Sequence, residues 1–113
     1  MKITFADKKL EKLVNNDRKM LRELGKNRTI ILRRRLSQLE DAFSLEDVRH
    51  LPGNYHELND KRKGEWSCDL DQPYRLIFTA HEKPIPTNAE GQYRWSSIHG
   101  IEVKEIINYH KEK

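Results

Sequence analysis

The stretch Pro73-Tyr74-Arg75-Leu76-Ile77-Phe78-Thr79-Ala80, PYRLIFTA, decides the fold. Side chains alternate across a strand, so Tyr74, Leu76 and Phe78 share one face while Arg75 points to the other. An arginine in so apolar a strand is costly unless its face is open or paired. One face packed and one face open is the pattern of an antiparallel sheet. Upstream, "NYHEL" (54–58) and "GEWSCDL" (64–70) read as two more strands. The dividers "NDKRK" and "DQP" are turn-like, and the second is tight enough for a hairpin. Downstream, "HEKPIPTNAEGQYRW" (81–95) has two prolines, one glycine and no periodicity, a loop longer than ordinary connections. "SSIHGIEVKEII" (96–107) then gives a final strand.

Before Pro52 the period is helical. "MKITFA" is a short opening strand, and Asp7 caps the helix that follows it. Leu10, Leu13, Val14, Leu21 and Leu24 supply one stripe, which Gly25 closes. A second helix runs from about Asn27 to Ala42, with Leu32, Leu36, Leu39 and Phe43 on one face. Ser44 and Asp47 stand at capping-box spacing in a short helix that ends at Pro52-Gly53. The expected fold is α+β: two N-terminal helices on one face of a mostly antiparallel, four- to five-stranded sheet, in a single domain over residues 1–113.

Composition removes several classes. The 113 residues contain one cysteine, Cys68, so neither an internal disulfide nor a cysteine-pair zinc site is expected. No apolar run approaches the ~18 residues of a membrane span, and no signal sequence opens the chain. A cytoplasmic protein without membrane contact follows. A Gly-rich phosphate loop, a helix-spaced His pair and a nucleophile elbow are all missing, so no metal or cofactor is expected. The net charge of +4 fits contact with a polyanion without requiring it.

What is left is a constellation of histidine and arginine. His56 lies in the first strand after the helices, and Lys61, Arg62 and Lys63 crowd the turn beyond it. Tyr109 and His110 come off the last strand, beside Arg75 if the strands neighbour one another. Metal-free RNA cleavage needs a base for the 2′-OH, an acid for the 5′-oxygen and donors for the phosphorane charge. Imidazole suits proton transfer, Arg grips phosphate with two prongs, and Tyr stacks on bases. A structural role is open for each: Arg75 bridging to Glu102 or Asp71, the tyrosines as core anchors. Arg33 and Arg34 face away from the leucine stripe, as a solvated face or an RNA contact.

"SLEDVRHLPGNYHELNDKRKGEWSCDLDQPYRLIFTA" followed by "EIINYH" resembles the HigB-type toxins of the RelE/ParE superfamily, from about Phe43 to His110. The resemblance implies a RelE-like fold and the toxin of a type II toxin–antitoxin module. The activity implied is that of a ribosome-dependent, metal-independent mRNA endonuclease (an mRNA interferase) working on the small ribosomal subunit. The partner implied is a helix-turn-helix antitoxin of HigA type, and the free toxin is expected to be monomeric. By position, the family's active histidine falls on His56, its phosphate-contacting arginine on Arg75, and its terminal acid-Tyr-His motif on Asn108, Tyr109 and His110. Lys61, Arg62, Lys63, Arg33 and Arg34 are the candidate RNA contacts. Two departures stand out: Asn108 replaces a common acid, and Asn59 replaces a lysine that Lys61 or Lys63 would substitute. The rivals are a ParE-like, non-catalytic gyrase inhibitor and a degenerate toxin that keeps only antitoxin binding.

Overall fold

The computed structural model describes residues 1–112, with side chains through residue 110. The chain runs β1 (Lys2–Phe5), α1 (Lys8–Val14), α2 (Asp17–Leu24), α3 (Lys26–Asp41), β2 (His56–Glu57), β3 (Glu65–Asp69), β4 (Tyr74–Ala80), β5 (Gly100–Asn108) and α4 (Tyr109–Glu112). Local chemistry sets the boundaries. Asp7 caps α1 by accepting from the Leu10 N–H at 2.7 Å. Gly25, at φ +83°, ends α2 and turns the chain into α3, a left-handed conformation that costs glycine little. Ser44 and Asp47 form the expected capping box around a 3-10 turn over Leu45–Val48.

The sheet has the order β1-β5-β4-β3-β2 and is antiparallel except for the parallel β1–β5 pair. Leu76 and Phe78 of β4, Trp66 of β3 and Ile101 and Val103 of β5 point one way, against Met20, Leu32 and Leu39 of the helices. Burying a side chain such as Phe78 contributes about 1.5–3 kcal/mol. The loop at 81–95 completes this core where the helices stop: Tyr93 and Trp95 pack against Trp66 at ring distances of 5.5 and 6.1 Å.

A register shift decides what lies on the other face. Ile77 pairs with Glu105, whereas Phe78 pairs with Val103, so β5 carries one extra residue, Lys104. Such a bulge inverts the facing of everything beyond it. Ile106 thereby packs against the core, while Ile107 comes opposite Arg75. Tyr109, two residues past Ile107, emerges on Arg75's face.

The structure differs from the sequence reading in two elements. The first expected helix is two, because Asn15 and Asn16 interrupt it and Asn16 caps α2 by accepting from Lys19 N–H at 3.0 Å. Phe43 does not join the stripe of α3. The helix ends at Asp41, and the ring is 79 % exposed, edge-on to His99 at 5.0 Å. Arg35, next to the exposed Arg33 and Arg34, is buried, and its Nε donates to the Asp69 carbonyl at 2.8 Å. No described helix is long and apolar enough to cross a membrane.

Candidate active site

β2 is two residues long, and the turn before it aims its first side chain. Gly53 adopts φ +130° and Asn54 φ +52°. A Cβ on Gly53 would stand 2.8 Å from Arg35 Nε, so this turn lies too close to α3 for any larger residue. Tyr55 then goes inward, and its hydroxyl donates to Gln38 Oε1 at 2.8 Å. Burial beside Cys68 pushes that hydroxyl far above the ordinary tyrosine range, and burial pushes the Cys68 thiol up to about 12, so both stay protonated in the core. His56 goes outward. Its Nδ1 lies 2.7 Å from the Asn54 carbonyl, and its Nε2 lies 3.3 Å from Ser67 Oγ. A carbonyl only accepts, so Nδ1 carries the proton, and in the neutral ring Nε2 is the basic nitrogen.

Arg75 sits opposite Asp69 on β3 and Ile107 on β5. Its guanidinium carbon lies 3.8 Å from the centre of the Tyr109 ring, a cation–π contact. Its nearest carboxylate is neither Glu102 nor Asp71 but Asp69, at 3.6 Å from Nε; Asp71 is taken by Arg28 at 2.9 Å. His56 pairs with Ser67, which pairs with Ile77, two residues beyond Arg75. Strand spacing puts the His56 and Arg75 α-carbons roughly 12 Å apart on one face. Both side chains line an open cleft of about 680 Å³ together with Asn59, Lys61, Arg62 and Tyr109.

The cations of this cleft are in different states. Lys61 is exposed at the lining. Arg62 is drawn to the sheet, with Glu65 at 2.7 Å and Glu105 at 3.4 Å. Partial burial works to raise the Glu65 carboxyl, but hydrogen bonds from Arg62 and Lys104 outweigh it and hold the group below its ordinary value.

The remaining candidates stand apart. Lys63 is exposed just past the turn and is not among the lining residues. Arg33 pairs with Asp17, and Arg34 borders a separate depression with Asp41, Asp47 and Leu51. Both arginines belong to the helical layer, across the sheet from the cleft, because α3 packs on the face that Arg75 avoids. Asn108 pairs with Tyr74, and its Oδ1 accepts from the His110 N–H at 3.1 Å. It starts α4 and does not line the cleft. His110 is exposed on α4 and also lies outside the lining, so the cleft brings together one imidazole, not two.

Three residues of this site escaped the sequence reading: Asn54, Ser67 and Asp69. The alternation in "WSCDL" already puts Ser67 and Asp69 on one face of β3. Their approach to His56 and Arg75 depends on register, which no local pattern supplies.

Residues 3–88 match the family model of the HigB-like toxins, described as the RelE-like toxin of the type II toxin–antitoxin system HigB. The chain belongs to this family. The matched span contains His56 and Arg75 and ends before β5, so Tyr109 and His110 lie beyond it. No curated protein matches the chain. As a HigB-type toxin of a type II module, it has an antitoxin as its implied partner, and the α+β fold with a five-stranded, mostly antiparallel sheet agrees with a RelE-like toxin.

Proposed function

We propose that this HigB-type toxin is a ribosome-dependent, metal-independent mRNA endonuclease, active in the cytoplasm and restrained by a helix-turn-helix antitoxin of HigA type. The observation that carries the reading is the shared cleft of His56, Arg75 and Tyr109, with the basic nitrogen of His56 turned away from its anchoring carbonyl.

Nε2 of His56 takes the 2′-OH proton, and the 2′-oxygen attacks the adjacent phosphorus. The bond from phosphorus to the 5′-oxygen breaks, leaving a 2′,3′-cyclic phosphate and a 5′-hydroxyl. Arg75 donates to the non-bridging oxygens as their charge grows, which is where fixed donors act most strongly. Tyr109, stiffened by its contact with Arg75, stacks on a base next to the cut. The 5′-oxygen takes its proton at the Tyr109 end, where His110 is the adjacent imidazole. That role requires the His110 ring to turn into the cleft when RNA binds. Lys61, exposed at the lining, attracts the phosphate backbone.

Mapping mRNA 5′ ends in translating cells after induction tests the reading. The parent should give codon-located cuts, and Arg75→Ala should remove them at equal toxin level. Uncut mRNA with inhibited gyrase supercoiling would overturn the reading in favour of a ParE-like inhibitor.

A further inference from the structure

Asp69 has no part in the reaction as just described, yet it touches both halves of the cleft. Its Oδ1 faces Arg75 Nε at 3.6 Å, and its Oδ2 lies 3.5 Å from Asn54 Nδ2. Asn54 is the residue whose carbonyl fixes Nδ1 of His56. Asp69's own backbone is clamped on both sides: its N–H donates to the Gly53 carbonyl at 2.7 Å, and its carbonyl accepts from Arg35 Nε at 2.8 Å. One residue, held by the turn and by α3, therefore sits behind both groups that would act on RNA.

The state of the Asp69–Arg75 contact is informative. Oδ1 and Nε are both buried, and among the described residues neither has a hydrogen-bond partner. A gap of 3.6 Å is a few tenths of an ångström beyond a bond. Both side chains keep some contact with solvent, but these two facing atoms do not, so a small shift that closes the gap between them is favourable. Closing it would also divide the guanidinium's work. Nε–H would serve Asp69 and the flat face Tyr109, leaving the Nη groups for phosphate in a fixed plane.

We propose that Asp69 is the positioning residue of this cleft, orienting Arg75 through Nε and the His56 turn through Asn54. The inference rests on the endonuclease reading above, because it assigns Asp69 a role only through those two side chains. It also makes the cleft cooperative: Arg75 and His56 are set by the same carboxylate instead of separately.

The test is single-turnover cleavage of mRNA on programmed ribosomes by purified toxin. Asp69→Asn keeps shape and removes charge. It should slow cleavage by up to about 100-fold, as expected when a reacting group is misplaced by about an ångström. Ribosome binding, antitoxin binding and melting temperature should stay close to the parent's. Added to Arg75→Ala, the same substitution should slow the residual cleavage by less than it does alone, because only its action through the His56 turn remains, whereas a general structural defect would multiply. Asp69→Glu, which restores the charge, should cleave faster than Asp69→Asn, with both rates taken per folded molecule so that poor folding of either variant does not enter the comparison. Parental cleavage by Asp69→Asn, a full multiplicative loss in the double variant, or no recovery in Asp69→Glu would each overturn the inference. Parental cleavage by His56→Ala and Arg75→Ala would instead overturn the reading beneath it.

Discussion

On the helix-covered face of the sheet, Leu76 and Phe78 lie in a dry core with Trp66, Leu32 and Ile101. On the other face, one residue away in the same strand, Arg75 and Ile77 border a cleft with His56 and Tyr109. The covered face is apolar side chains in mutual contact, and most of its atoms have no other work. The open face is arginine, histidine and carboxylates whose polar groups are only partly matched. Alternation along β4 thus separates stability from candidate chemistry at the finest grain a strand allows. Changes on the covered face should register in unfolding, and changes on the open face in RNA cleavage.

The largest expected effect is on the open face. His56→Ala should lower the single-turnover cleavage rate by about 10²- to 10⁴-fold, the usual range for losing a general base, with the melting temperature almost unmoved. A large fall in melting temperature would show that the two faces are not separable there. Phe78→Ala is the reverse case and should cost about 3–5 kcal/mol of unfolding free energy in a urea titration, for the lost contacts and the cavity. Toxicity should then decline only as the unfolded fraction rises.

Gly53→Ala works at the joint between the two regions. Its new methyl meets Arg35 and its φ of +130° suits only glycine, so about 1–3 kcal/mol should be lost to strain. Because the same turn aims His56, cleavage per folded molecule should fall too; unchanged specific cleavage would cut that link.

The smallest effect belongs to Glu65, on the charged part of the open face. Its pKa is depressed below 4.5 in the folded state. A depressed carboxyl gives stability that is complete above the unfolded value and is lost as pH falls through the folded one. Stability should therefore decline from about pH 4.5 downwards, and Glu65→Gln should flatten that part of the acid titration.

Much of this was legible because it is local. The alternation of "YRLIF", the cap at Asp7, the capping box at Ser44 and Asp47 and the closing Gly25 each depend on a few neighbouring residues, and each forms as read. The stripe from Leu10 to Leu24 hid a break, since an amphipathic pattern continues in phase across a two-asparagine interruption while the backbone does not. The burial of Arg35 could not be read locally, because the carbonyl that its Nε meets belongs to Asp69, 34 residues away. In the candidate site, His56, Arg75 and Tyr109 converge as the strand order required. The facing of Tyr109 hangs on the extra residue in β5, which no sequence period announces. His110 fell outside for a related reason: the strand ends at Asn108, and the helical turn that follows points successive side chains about 100° apart.

β2 is both the shortest strand of the sheet and one of its edges. Segments of that kind open on their own, with amide protons that exchange long before those of the interior. Fraying of residues 56 and 57 would break the 2.7 Å bond from Trp95 Nε1 to Glu57 and carry the imidazole away from Arg75, with Trp66 and Phe78 still packed. On the proposed mechanism, opening of those two residues would stop cleavage before the sheet as a whole unfolds.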